Sequence, residues 1–272
     1  MIREIAGRQN HSVKLARKLQ KKKHRRERGL LVCEGMDLLS AAMDAGAALR
    51  DVLVRKDLLS ALPAGLIDQA KEDAPVAGRV DIGICDAETL EYASSLGGAA
   101  DVVFTCVEPA YSLGDVALGS GVSFFLDGVG DPGNVGTLVR SLVAFGGVAM
   151  MCSPGGTADP YGPKAMRAGM GAQFVLPVVV DVAPSDLLAR IAVLASRGDE
   201  APEVVVADAH SGDDLRTVGL HAGVVVVLGS ERSGASGEWP GARRVTIAQS
   251  TFESLNVAMA GTIVAYELYR GA

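Results

Sequence analysis

The chain has 272 residues, 49% of them hydrophobic and 21% charged, with a formal net charge of −6. That is material for a sizeable core in a soluble globular protein, and the length favours two domains over one. A membrane-spanning helix is excluded, because the longest apolar runs, such as VVVVL at 224–228, are far too short to cross a bilayer.

The N-terminal MIREIAGRQN is polar and basic and lacks the apolar segment of a signal peptide, which predicts a cytoplasmic address. Residues 1–30 hold eleven Lys and Arg against two acids, Glu4 and Glu27, a local charge of +9 in an acidic chain. The stretch KLARKLQKKKHRRERG reads as one basic helix, with Val13, Leu15 and Leu19 as a thin apolar stripe. Most charge runs are solvated faces. Cations gathered at one end of an acidic chain nevertheless present the field that a phosphate backbone would find, so Arg17, Lys18, Lys21, Lys22, Lys23, Arg25 and Arg26 are the candidate RNA contacts.

Beyond that helix, strand-like LLVCEG, DVLVRKD, RVDIGIC and VVFTCVE alternate with helix-like MDLLSAAMDAG and DAETLEYASSLG, which is the signature of an α/β unit. PAYSLGDVALGSG (109–121) breaks every period and reads as a linker, giving domains of 1–114 and 115–272. In the second domain the strands VSFFLD, VAMMCS, FVLPVVVD, EVVVAD and VVVVLGSE are largely apolar throughout, as expected of a parallel sheet covered by helices on both faces. Cys33, Cys85, Cys106 and Cys152 form no C-x-x-C pair and read as buried free thiols. His11, His24, His210 and His221 show no ligand spacing, so no metal is expected.

Gly128, Gly130 and Gly133 follow VSFFLD with the spacing G-x-G-x-x-G, which would suit a dinucleotide. The acid that should follow the next strand to bind the ribose is missing, and Pro132 removes a backbone donor that a pyrophosphate would use. Two further polar stretches end buried strands: LGSERSG at 228–234 and TIAQSTFESLNVAMAG at 246–261. Singly, the first is a glycine turn and the second a capping box, Ser250 to Glu253, opening the last helix.

In order, however, DPGNVGTLVR, LGSERSG and ESLNVAMA resemble the three signature motifs of the SPOUT-class RNA ribose methyltransferases of the SpoU/TrmH branch, and KAMRAGMGAQFVLPV resembles the family's middle segment. The N-terminal part resembles the small ribosomal-protein-like α/β domain with which many members bind RNA. The resemblance implies a SPOUT α/β domain with a C-terminal trefoil knot, a homodimer, and S-adenosyl-L-methionine as methyl donor for a ribose 2′-hydroxyl in RNA. Ribosomal RNA is the expected substrate, because the appended domain often accompanies it in this family. A transfer-RNA enzyme and a catalytically silent RNA-binding protein of the same fold remain open.

By the same resemblance Arg140 acts on the 2′-hydroxyl, either accepting its proton or orienting it, since no histidine or cysteine lies in the motifs. Asn134 and Asn256 orient that arginine and the loop ends, Glu231 accepts hydrogen bonds from arginine or loop amides, and Ser254 binds substrate or caps the helix. The cofactor is expected on backbone around Gly229, Ser230, Ile247, Ala248 and Leu255, with a valine at Gly229 expected to block it. The chain departs from the family pattern at Ala248-Gln249, where Pro-Met is usual, and at Arg232, where glycine is usual. Removing residues 1 to about 110 is expected to leave a folded, cofactor-binding remainder with little RNA affinity.

Overall fold

The computed structural model describes residues 1–63, 65–71, 78–95, 100–220, 223–250 and 254–271. It divides into two compact units, Met1–Pro109 with Tyr161–Phe174, and Ala110–Pro160 with Val175–Ala272.

Unit one is a five-stranded mixed sheet in the order β1 (Ile2–Glu4), β4 (Asp81–Cys85), β3 (Leu49–Arg55), β5 (Val102–Val107), β2 (Leu30–Glu34). β1 and β3 run parallel to β4, whereas β5 is antiparallel to both β3 and β2. The single basic helix expected at the start is two helices, α1 (His11–Leu19) and α2 (Lys22–Arg28). α1 is capped by the Asn10 side chain and buries a full face, Val13, Leu15, Ala16 and Leu19, so packing and not charge defines it. The chain turns extended at Lys21, and α2 ends on Gly29.

The carboxylate of Glu34 at the end of β2 is fully buried. It accepts hydrogen bonds from Ser94 Oγ (2.8 Å), Ser95 N and Oγ (both 2.8 Å) and Gln20 Nε2 (3.1 Å), which offset its loss of water. Arg167, on α7 (Pro163–Gly169), stands 3.8 Å from the same carboxylate. This is one tie by which residues 161–174, distant in sequence, belong to unit one.

Unit two carries a seven-stranded sheet in the order β10 (Asp213–Asp214), β12 (Arg243–Thr246), β9 (Glu203–Ala207), β11 (Val224–Gly229), β6 (Val122–Asp127), β7 (Ala149–Cys152), β8 (Val178–Val179). Every pairing in it is parallel, as the apolar strands predict. FVLPVVVD forms only the two-residue β8, because Pro177 has no N–H for the ladder and Asp181 turns the chain with φ of 57°. Phe124 and Phe125 of β6 point to opposite faces. Phe124 lies near α9 (Val257–Arg270), which packs beside α6 (Pro132–Ala144), and Phe125 joins Leu187 of α8 (Pro184–Arg197) and Trp239. The expected linker is not bare connection, since Val116 and Leu118 are buried in this second core. All four cysteines are free and buried.

Candidate active site

The glycine-rich loop after β6 already uses backbone donors that a pyrophosphate would need. Gly128 takes φ of 83°, which favours glycine, and its N–H donates to Thr157 Oγ1 (2.9 Å) and Ser153 Oγ (3.2 Å). The N-terminus of α6 already holds a carboxylate: Asp131 accepts the Asn134 N–H at 3.0 Å, and Pro132 fills the first helical position. Asp127, at the end of β6, accepts from Ser236 N (2.8 Å) and from the indole N–H of Trp239 (2.9 Å), pinning the loop after β11.

Three motif loops meet through three side chains. Asn256 Nδ2 donates to Asn134 Oδ1 (3.1 Å), and Asn134 Nδ2 donates to Glu231 Oε1 (2.7 Å). The order of donors and acceptors leaves the carboxylate at the end of the relay, where a charge-assisted bond is strongest. Asn256 also caps α9, its Oδ1 accepting from Ala258 N (2.9 Å) and Met259 N (3.3 Å). The helix therefore starts at Val257 and not at the capping box read from Ser250, whose partner Glu253 lies outside the described residues.

Beside the relay, at the C-terminal ends of β9, β11 and β12, is a cavity of about 340 Å³, in the roughly 300–1,000 Å³ range of small-molecule sites. Gly229, Ser230, Glu231, Ile247, Ser254 and Leu255 line it; Ala248 does not, but Gln249 does. Ile247 is half-buried and Leu255 is 37% exposed, so neither serves simply as core. Gly229 is required for a different reason from the one expected. A Cβ there would stand 2.0 Å from Ala235 N and 2.1 Å from Gly234 C, so the loop's own backbone excludes a side chain before any ligand could.

Arg140 is exposed on α6, outside the cavity wall and with no polar contact to the relay. It is six residues beyond Asn134, about 9 Å along the helix axis. α6 and α9 pack together through Ser141 and Thr262, whose hydroxyls are 2.6 Å apart, and through Leu138 against Gly261. The outward strip of α6, with Thr137, Arg140 and Ala144, therefore runs beside the outward strip of α9.

Sequence reasoning passed over Asp208 and His210, which line the cavity after β9. The signal was available, since an acid follows EVVVA where ligand crevices of parallel sheets lie. Asp208 accepts from the backbone N–H groups of His210 (2.9 Å) and Ser211 (3.1 Å) and pairs with Arg244. The His210 amide first, with help from Ser211 and Arg244, holds its carboxyl below the usual carboxylate range, against the opposing effect of burial.

In unit one, Lys18, Lys21, Lys22, Lys23 and Arg26 are exposed. Arg17 lies over the Tyr92 ring, 5.5 Å from its centroid, and donates to Ser94 O. Arg25 is a correction. It is 3% exposed, and its guanidinium donates to Leu19 O (2.8 Å) and Gln20 O (3.1 Å), closing the C-terminus of α1, so it is not presented to RNA.

Residues 121–266, more than half of the chain, match the SpoU rRNA methylase family. The chain belongs to this family. Residues 10–95 of the methylase match an MRM3-like substrate-binding domain. It is 25% identical over 273 residues to the 23S rRNA (guanosine(2553)-2′-O)-methyltransferase RlmP of Bacillus subtilis, covering 98% of this chain and 99% of that one. It is 31% identical over 143 residues to the 23S rRNA (uridine(2479)-2′-O)-methyltransferase of Streptomyces viridochromogenes, with 51% of this chain covered and about half, 49%, of that relative's length. Among solved structures, the AdoMet-bound rRNA methyltransferase of Sinorhizobium meliloti matches with a TM-score of 0.82 at 25% identity, over 99% of this chain and 98% of that one.

Proposed function

We propose that this methylase transfers a methyl group from S-adenosylmethionine to a ribose 2′-hydroxyl of ribosomal RNA, acting in the cytoplasm as a homodimer. The observation that carries the reading is the relay from Asn256 through Asn134 to Glu231, which draws three distant motifs to the rim of one cavity. The names of these relatives, all of them rRNA methyltransferases, support the choice of substrate.

The cavity fits the donor. Leu228, Ile247, Leu255 and Val257 offer apolar walls to a purine ring, Asp208 and Glu231 offer negative charge to a cationic ligand, and Gln249 offers an amide oxygen. When bound, S-adenosylmethionine supplies a methyl group activated by its sulfonium. The chain's residues do the remainder. Gly229 lets the β11 loop fold back on itself, and Asp127 with Trp239 holds that loop's far limb. Asn134 fixes one oxygen of Glu231, leaving the other without a partner among the described residues and open to a substrate hydroxyl or to a guanidinium. Arg140 orients the 2′-hydroxyl and stabilises the charge that develops on its oxygen as the proton leaves to water, its exposed guanidinium being available because it has no acidic partner among the described residues.

The outward strip of α9 is apolar: Met259 is 63% exposed, and Ile263, Tyr266 and Tyr269 are exposed with it. We assign this strip to the interface with a second copy, which would put Arg140 at its edge. The trefoil knot belongs to the same reading, supported by the chain's return from β12, second from the sheet's edge, to pack α9 against α6 and β11.

The test is ribose-methylation mapping of ribosomal RNA from cells with and without the protein, paired with single-turnover transfer in vitro. One 2′-O-methyl mark should vanish without it. Arg140→Ala should abolish transfer with S-adenosylmethionine affinity near wild type, and Arg140→Lys should rescue little, since an ammonium lacks the planar set of donors. A near-wild-type rate for Arg140→Ala would remove that residue from the mechanism, and no binding of S-adenosylmethionine would leave a silent RNA-binding protein.

A further inference from the structure

Gln249 lies in the stretch that follows β12 and lines the cavity. Its Oε1 is shielded from solvent and has no hydrogen-bond partner among the described residues. Several polar groups of the cavity lining already have a partner. Asp208 holds the His210 and Ser211 amides, the hydroxyls of Ser230 and Ser233 hold each other at 2.7 Å, and Glu231 holds Asn134. A buried acceptor with neither water nor partner is disfavoured, so the side chain gains when a ligand brings a donor.

The wall near Gln249 is apolar, with Ile247, Leu255 and Val257, and suits the faces of a flat heteroaromatic ring. An ammonium group would find better partners in the carboxylates of Asp208 and Glu231. What remains for Gln249 is the edge of the ring. A glutamine amide matches the adenine edge in a known way, its oxygen accepting from the exocyclic amino group while its nitrogen donates to N7.

We propose that Gln249 is a specificity-determining residue of this methylase, its side-chain amide reading the exocyclic amino group of the donor's adenine. The proposal rests on the cavity's being the S-adenosylmethionine site. The terminal amide turns about a soft torsion, which lets its oxygen meet a ligand in the cavity.

Calorimetric titration of the full-length protein with S-adenosylhomocysteine, and with its analogue that has hydrogen in place of the 6-amino group, tests this without turnover. Wild type should bind the amino ligand roughly ten-fold more tightly, the worth of one such hydrogen bond. Gln249→Met, similar in volume and lacking the acceptor, should lose that preference, while its binding of the deaminated ligand falls only by the lost contact to N7. Its ligand-free melting temperature should be no lower than wild type, because an unpaired buried acceptor has been removed. Gln249→Glu keeps an acceptor oxygen and should retain the preference, which guards against a folding defect in the methionine variant. Undiminished preference in Gln249→Met, or equal weakening toward both ligands, overturns the assignment. Failure of wild type to bind either ligand overturns the functional reading itself, and this proposal with it.

Discussion

Asn134 makes both of its side-chain hydrogen bonds to residues far along the chain, Glu231 97 positions away and Asn256 122 positions away. Each bond uses one end of the amide, so no other small side chain reproduces the relay. Asn134→Asp removes the donor and sets a carboxylate against the carboxylate of Glu231. A hydrogen bond to a charged group is worth about 1.5–3 kcal/mol. If that is expressed in the transition state, single-turnover transfer should fall about 10- to 100-fold. The relay is partly solvated, so thermal unfolding should change little, and the contrast between the two measurements separates a chemical role from a structural one. Arg25 shows the opposite case, in which a cation counted toward a basic surface turns inward because two helix carbonyls need a donor.

α9 has two unlike faces. The inner one is built from small residues: Ala258, Gly261 and Ala265 are buried, and a Cβ on Gly261 would come within 2.3 Å of Leu138 and 2.9 Å of Leu228. These small residues pack within the subunit, and the outer face carries the large side chains Met259, Ile263, Tyr266 and Tyr269. Ile263→Asp with Tyr266→Lys should yield monomers by sedimentation equilibrium, with helix content unchanged; a dimer that persists would place the interface elsewhere. The strands of the second unit are legible in sequence because runs such as Val224–Leu228 are apolar at every position and pair on both sides. The start of α9 is ambiguous there because two capping residues, Ser250 and Asn256, lie six residues apart, and the bonds from Ala258 N and Met259 N to Asn256, with its tertiary bond to Asn134, mark the second. The relay itself is legible only as three motifs in order. No local period reports that two helix N-termini and a strand end will share one amide.

Across the whole molecule, charge and connectivity bear on how RNA binding can be tested. The truncation that sequence suggests, near residue 110, would strip Tyr161–Phe174 from the unit to which it belongs, separating Arg167 from Glu34 and exposing Ala165, Met166 and Phe174. Substitution is the sounder test. Replacing Lys18, Lys21, Lys22 and Lys23 by alanine should weaken RNA binding and flatten its dependence on salt, by up to about 0.7 to 0.9 in the log–log slope for each phosphate no longer neutralised. S-Adenosylmethionine affinity should not change. An unaltered salt slope would mean that these lysines form only a solvated face. The chain's single tryptophan, Trp239, sits in unit two with its indole bonded to Asp127 and edged against Phe125, ring centroids 4.8 Å apart. Nature has thereby placed one fluorophore in the loop that borders the cavity, so emission excited at the red edge of its absorption reports the folding of that unit alone. Circular dichroism follows both units, and any gap between the two melting curves measures how independently they come apart.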